Sequence, residues 1–492
     1  MKNNKEYLSI INDVIENGKY KDDWKSLFGR EMPRWMQDGK FGIFIHWGVY
    51  SVPAFSNEWY SRNMYIKDST EYKHHIETFG PHDVFGYKDF VPLFTAPLFD
   101  AEDWAELIRK SGDRYCVPVA EHHDGFQMYK SEISHWNAAE MGPKRDVLKE
   151  LYEAFEKKGV VCGASSHRVE HWFFMGQGKE FESDVKEPME RGDFYWPANP
   201  MSNNELHNLY SEPYPSDEFM EDWLLRCCEL IDNYHPKLLF FDWWIQHSAV
   251  KPYLRKFAAY YYNRALEWGE DVAICYKHDA FPLGTAVVDI ERGKFSEVQA
   301  FHWQTDTAIA RNSWGWTEDN QFKPAYSIVQ DLMDIISKNG VLLLNVGPKP
   351  DGSISSQDKA VLLSIGEWLA INGEAVYGTR IWRKAAEGPT KTQDGQFTDG
   401  SDTVYTHQDI RFTTSGDCLY ATVLKWPEDG YILVKSLAKQ DASHLPVFNG
   451  IINDVSILGQ KTPIWKRDEA GLHVRGEALR TDMPVVIKVK ID

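Results

Sequence analysis

The chain has 492 residues, with 54 Lys+Arg against 73 Asp+Glu and a formal charge of −19. At about 150 residues per domain this length fits two or three domains, or one barrel with a smaller partner, and an apolar fraction of 43% excludes a disordered chain. The acidic balance argues against nucleic acid or a membrane surface as the main partner, because both call for a basic face.

The first segment, MKNNKEYLSIINDVIENGKY, scatters charges through its length and has no apolar centre, so it does not read as a signal peptide. No stretch reaches the ~18 apolar residues that a membrane helix needs, and the expected location is cytoplasmic. Cys116, Cys162, Cys227, Cys228, Cys275 and Cys418 show no paired spacing and read as buried free thiols, which suits a reducing compartment. The 19 Trp, 24 Tyr and 26 Phe suit either sugar-facing surfaces or a large aromatic core. They also suit a homo-oligomer.

Up to about residue 380, short apolar runs alternate with amphipathic stretches. Strands are expected at Phe41–Trp47, Tyr115–Ala120, Val160–Ala164, Leu238–Phe241, Val272–Tyr276, Val298–Trp303 and Val341–Val346. Between them, DWAELIRKSG, DVLKELYEAFEKKG, EDWLLRCCELIDNYHP and YSIVQDLMDIISKNG carry helical periodicity. Near-continuous apolar strands separated by helices predict a parallel sheet, and the number of units predicts a (β/α)8-like barrel over residues 1–380. A doubly wound sheet is the alternative, but no glycine fingerprint follows the first strand. After Arg380 the helical period stops. The turn-rich GPTKTQDGQFTDGSDT and the alternating runs CLYATVLKW, GYILVKSL, LHVRGEAL and PVVIKVKID predict an antiparallel β-sandwich over residues 381–492.

The chemistry is expected where the strands end, since barrels carry reactive groups at the C-terminal ends of their strands. FGIFIHWG delivers His46 and Trp47; YCVPVAEHHDGF delivers Glu121, His122, His123 and Asp124; VCGASSHRVEHW delivers His167, Glu170 and His171. LLFFDWW delivers Asp242, CYKHD delivers Lys277 and His278, and VVDIERG delivers Asp289, Glu291 and Arg292. One such residue alone is an ordinary satisfied polar group. Six strand ends of this kind predict a polar pocket at the barrel mouth.

Three readings fit that pocket. Glycoside hydrolysis needs two carboxylates and aromatic walls; Asp242, beside Trp243 and Trp244, is either a nucleophile or an ion-paired core residue. Its partner would be Glu291, with Asp289, Glu297, Glu58 and Glu121 as rivals. A metal-dependent barrel hydrolase is the second reading. It is weakened because His46 lacks a His two residues on, and the adjacent His122 and His123 would point to opposite faces of a strand. A non-catalytic carbohydrate-binding scaffold is the third.

Together, KFGIFIHWGVYSVPAFSNEWYSRNMY, VAEHHDGFQMYKS, LLFFDWW, NSWGW and LLLNVGPKPDGSI…IGEWLAINGEAVYGTR resemble the α-L-fucosidases of glycoside hydrolase family 29, from about residue 24 to about residue 380. The resemblance implies an exo-acting, retaining hydrolase of fucosylated oligosaccharides or glycosides, with no metal and no other cofactor. It implies Asp242 as nucleophile, although Trp243 stands where relatives often carry Gly. Glu291 would be the acid/base, with Glu297 as fallback and an ordinary helix-start Glu paired to Arg292 as the plainer alternative. By position His46, His122 and His123 match hydroxyl-binding histidines, and Glu58 with Trp59 matches the pair lining the pocket. Phe44 and Trp59, with Trp314, would receive the C6 methyl of fucose. His167 stands in place of a family Tyr, and Lys277 or His278 in place of a family Arg.

Overall fold

The computed structural model describes residues 4–201, 208–400, 403–440 and 445–492. Met1–Asn3 of the first segment and Ser401 and Asp402 of the turn-rich linker lie outside the described residues. Eight parallel strands close into a barrel in sequence order: β1 (Phe41–Ile45), β2 (Tyr115–Glu121), β3 (Val161–Ser166), β4 (Leu238–Phe241), β5 (Ala273–Lys277), β6 (Val287–Glu291), β7 (Trp303–Ala308) and β8 (Gly340–Val346), with β8 pairing back onto β1. The expected helices form between them. The helix Ala101–Lys110 begins where the Asp100 carboxylate accepts from the backbone N–H groups of Glu102 and Asp103, and the helix Val147–Lys158 ends at Gly159 in the left-handed conformation.

The structure corrects one strand expectation. The seventh strand is Trp303–Ala308, not Val298–Trp303. Its sequence, WQTDTA, has no apolar run because Gln304 and Asp306 point inward to polar partners, while Val298 is exposed. The sixth strand, within VVDIERG, escapes the apolar-run criterion for the same reason: Asp289 and Glu291 occupy its inward positions.

Alternation along each strand divides the barrel into two cores. Ile43, Leu239, Phe241, Ile274 and Leu344 face outward to the helices. Phe44, Tyr115, Val117, Leu238, Phe240, Cys275, Val287 and Leu343 fill the interior, and Met32 and Met36 join them there. Gly42 is required at its place, because a Cβ there would sit 2.4 Å from the Tyr115 ring that fills the interior. The inward series then continues upward: Phe44 to His46, Ser165 to His167, Phe240 to Asp242, Cys275 to Lys277, Asp289 to Glu291, and Leu343 to Asn345. Apolar residues plug the lower barrel, and polar ones crown its C-terminal end.

Beyond the barrel, β9 (Arg380–Glu387), β10 (Ile410–Ser415), β11 (Cys418–Val423), β13 (Ile452–Ile457) and β16 (Val485–Ile491) form an antiparallel sheet in the order β13-β16-β11-β10-β9. A second sheet has the order β12-β15-β14, made of β12 (Tyr431–Val434), β14 (Ile464–Asp468) and β15 (Gly471–Arg475). Phe412, Leu419, Ile432, Leu472, Val474 and Ile487 are packed in their shared core. No helix among the described residues is long and apolar enough to cross a membrane. All six cysteines are free thiols.

One buried cluster ties the two parts together. Asp334, on the barrel helix Ala325–Ser337, accepts from the Arg411 guanidinium of β10 and from Lys338 Nζ at 2.7 Å, and lies 3.8 Å from Lys294. Lys294 also pairs with Asp331, but removing Asp334 takes away the carboxylate that Arg411 and Lys338 share and leaves buried charge uncompensated. Asp334→Ala is therefore expected to cost about 3–5 kcal/mol, read as a lower denaturant midpoint; an unchanged midpoint would remove the cluster from this account.

Candidate active site

The crown of polar side chains surrounds an open cavity of about 340 Å³, at the lower end of the roughly 300–1,000 Å³ of small-molecule sites. Phe44, His46, Glu58, Trp59, His122, His123, His167, Asp242, Glu291 and Trp314 all line it. His122 and His123 both reach it although they are adjacent, against the expectation of opposite faces. The β2–β3 register shifts between Val119 and Glu121, and the pair lies past the strand end, where strand alternation no longer applies.

Asp242 directly follows β4. Its Oδ2 accepts from His167 Nδ1 at 2.9 Å and lies 3.4 Å from His123 Nε2. Burial works against its charge, but the two imidazoles outweigh burial and hold the carboxyl well below the usual range. His123 is itself set between two carboxylates, with Glu170 3.7 Å from its Nδ1. Burial alone would depress it; Glu170 and Asp242 raise it to about 9. Asp242 is thus an ionised carboxylate with one oxygen engaged by imidazoles.

Glu291 closes β6 and has the opposite electrostatics. It accepts from the Trp243 indole N–H, and Lys277 Nζ stands 3.5 Å away. That ammonium also binds Asp289 at 2.7 Å and Asp306 at 2.6 Å, so one cation serves three buried carboxyls. Burial raises Glu291, Lys277 opposes this, and Asp306 and Asp242 add to the rise, leaving it at about 7. Glu291 ends a strand, not a helix start, and the neighbouring Arg292 turns away to Asp399 at 3.6 Å. Strained turns aim these groups. Trp244, His278 and Arg292, just past the ends of β4, β5 and β6, all have positive φ, at 71°, 53° and 43°, each costing about 1–3 kcal/mol where the site demands it.

The rival carboxylates are placed elsewhere or otherwise engaged. Glu297 is exposed on the connection before β7. Glu121 is buried against Arg226 at 3.0 Å and Arg168 at 3.4 Å, and Asp289 against Lys277 and Gln304. Glu58 lines the cavity and accepts from the Trp314 backbone N–H at 2.9 Å and the Ser313 hydroxyl at 3.1 Å, which fixes the SWGW loop. Asp124 caps its own turn, accepting from Tyr87 and the Phe126 N–H, and His171 bonds the carbonyls of His123 and Phe194.

The walls combine acceptors, donors and flat apolar faces. Asn345 donates to the Trp314 carbonyl at 2.7 Å, so its oxygen faces His46 Nδ1 at 2.7 Å as an acceptor. The His46 proton therefore sits on Nδ1 and the Nε2 lone pair is left for a ligand. Burial drives His46, His122 and His167 downward, so all three are neutral. Phe44 packs edge-on to His46 and Phe240, with Trp314 6.3 Å away, and Trp59 packs edge-on to His123.

Sequence reasoning passed over four contributors. Asn345 lies on a strand whose other residues are ordinary core and Asp306 on one with no apolar run, and only the inward period marks them. Trp243, which stands where relatives often carry Gly, donates to Glu291. Phe397 comes from the turn-rich linker: Gly395 pairs with Lys294, the Phe397 N–H donates to the Glu291 carbonyl at 2.9 Å, and the ring stacks 5.7 Å from Trp243 at 12°. No local signal in that Gly-, Asp- and Thr-rich stretch could have revealed this.

Comparison with known proteins agrees with this architecture. Residues 8–374 match the family model described as alpha-L-fucosidase, and residues 401–488 match the alpha-L-fucosidase C-terminal domain. The chain is 31% identical over 421 residues to the tissue alpha-L-fucosidase of Rattus norvegicus, covering 85% of this chain and 81% of that one. It is also 31% identical over 431 residues to the plasma alpha-L-fucosidase of Homo sapiens, at the same coverage. Among solved structures, the Thermotoga maritima alpha-fucosidase in complex with fucose superposes with a TM-score of 0.74 at 27% identity, covering 96% of this chain and 100% of that one. The same enzyme in complex with a mechanism-based inhibitor gives 0.73 at 28% identity over the same shares of the two chains.

Proposed function

Because the chain belongs to the α-L-fucosidase family of glycoside hydrolases, we propose that it removes terminal α-L-fucosyl residues by a double displacement on Asp242 and Glu291. In the first step an Asp242 oxygen bonds to the anomeric carbon while the glycosidic C–O bond breaks. The Glu291 proton passes to the departing oxygen. In the second step water attacks the same carbon, gives its proton to Glu291 and releases Asp242. Two inversions restore the α configuration.

The observation that carries this reading is the opposed electrostatics of two carboxyls on one cavity. Asp242 is kept ionised by His167 and His123, while Glu291 is kept near half-protonated at neutral pH by burial and like charge. A nucleophile needs the first state and a general acid the second. His46, His122 and His123, with Glu58, supply hydroxyl contacts of both senses. Phe44, Trp59 and Trp314 offer apolar faces for the C6 methyl. His167 takes a different part from a hydroxyl ligand: it donates to the nucleophile and is fixed from behind by the Ser165 hydroxyl at 3.0 Å. Lys277 is fully buried and holds the carboxyl cluster together.

Hydrolysis of 4-nitrophenyl α-L-fucoside, followed by proton NMR, tests the reading. The expected first product is α-L-fucose, which mutarotates later, at a rate that excess EDTA does not lower. Release of β-L-fucose first would replace the double displacement with a single one. Absence of turnover on any α-L-fucoside would favour a binding scaffold, and loss with chelator a metal-dependent hydrolase.

A further inference from the structure

His46, His122 and His167 follow three successive barrel strands, and each brings a ring nitrogen to within 4.8 Å of the other two. All three are buried. Hydroxyl binding does not account for everything about them: Nδ1 of His122 is buried with no hydrogen-bond partner. The outer contacts of the other two are those that orient metal-ligating imidazoles. His46 carries its proton on Nδ1 toward Asn345, and His167 donates from Nδ1 to the Asp242 carboxylate, so each presents Nε2 as a lone pair. For His167 that lone pair accepts only the Ser165 hydroxyl, which can rotate away.

Three neutral imidazoles with a fourth direction open to a cavity form the donor set of an open zinc site. Metal–nitrogen bonds of about 2.0–2.1 Å in tetrahedral geometry place the nitrogens about 3.3 Å apart, so each ring would have to move inward by under about 1 Å. Asp242, ionised and hydrogen-bonded to His167, supplies negative charge beside the ion. We propose that His46, His122 and His167 form a binding site for a zinc-class transition-metal ion on the cavity floor, and that ion and sugar exclude one another. The ion has no part in turnover here. It occupies the place of the hydroxyls and makes zinc-class ions competitive inhibitors. The exclusion, though not the site, rests on the fucosidase reading.

Cobalt(II) tests the site without any assay of turnover, because a tetrahedral nitrogen-bound ion shows intense visible d–d absorption. The whole chain is expected to bind one Co²⁺ or Zn²⁺, by absorption and by calorimetry. His122→Asn should weaken binding about 100-fold, and Asn345→Ala, which releases His46, about 10- to 100-fold. If His122→Asn fails to fold, Asn345→Ala carries the test. L-Fucose should bleach the cobalt spectrum, and Zn²⁺ should raise KM without lowering kcat. Absence of the tetrahedral spectrum, or binding that ignores both substitutions, would overturn the site. Binding lost in His123→Asn but kept in His122→Asn would also overturn it, by moving the ion to His123, His167 and Asp242. Binding that persists at saturating fucose would overturn the exclusion. Cobalt binding at these histidines in a chain that neither binds nor cleaves fucosides would sink the fucosidase reading and leave the site standing.

Discussion

Asp242→Gly is expected to lower turnover of 4-nitrophenyl α-L-fucoside by roughly 10⁴–10⁶-fold, the range seen when one member of a nucleophilic catalytic unit is removed and the rest of a site stays in place. The effect should lie in kcat, because Asp242 bonds to the sugar only as the reaction proceeds. The glycine also opens a space below the anomeric carbon, on the face the carboxylate occupied. Azide should enter that space, restore part of the rate and yield β-L-fucosyl azide, the product of a single inversion. Folding should survive, since Asp242 follows a strand whose buried neighbours Phe240 and Phe241 are unchanged. Its loss removes one of the two carboxylates facing His123, so the pKa of that imidazole should fall from about 9, which proton NMR can follow. Near wild-type hydrolysis by a folded variant, or an azide product of retained configuration, would remove Asp242 from the nucleophile's place.

The second large effect concerns Glu291 and depends on the leaving group. With a sugar as leaving group, Glu291→Ala should lose about 10²–10⁴-fold, the usual worth of a positioned general acid. With fucosyl fluoride or another activated group, the first step needs little proton transfer and the loss should shrink. Azide should rescue this variant with retained configuration, because it replaces the water of the second step. The sign of the pH effect follows from the raised pKa. Glu291 carries its proton below about 7 and loses it above, so kcat/KM on unactivated substrates should fall as pH rises through about 7. Glu291→Gln should abolish that limb in the residual activity on the same unactivated substrates, and activated substrates should show little of it even in the wild type. A limb that persists unchanged in Glu291→Gln would assign it to another group.

The parts of the site legible in the sequence share one property: they sit where a local pattern predicts position. His46, Asp242 and Lys277 each follow an apolar strand by a fixed even offset, so strand period and strand end together place them inward and at the top. Lys277 and His278 could not be separated in that way, because choosing between them depends on which one faces Asp289 and Asp306. Glu291 could be nominated but not distinguished from Glu297 by composition. The structure separates them by six residues of chain that leave the barrel wall, and one ends buried over Lys277 while the other ends in solvent.

By itself, then, the sequence determined the barrel with its appended β-sandwich, the apolar lower interior, the polar crown and the family. All of these follow from periodicities of two and 3.6 residues and from short motifs read within a few residues of one another. Only the tertiary structure decided the charge states and the company each group keeps. Asp242 is ionised because two histidines from other strands converge on one of its oxygens. Glu291 stays near half-protonated at neutral pH because burial opposes its charge and Asp306 and Asp242 add to that, while Lys277 is shared with Asp289 and Asp306. Phe397, more than a hundred residues beyond Trp243, reaches the mouth through a linker with no pattern of its own. Interactions of this kind depend on distances between segments remote in the chain and on the low dielectric that burial creates, and neither quantity is written in any local stretch of residues.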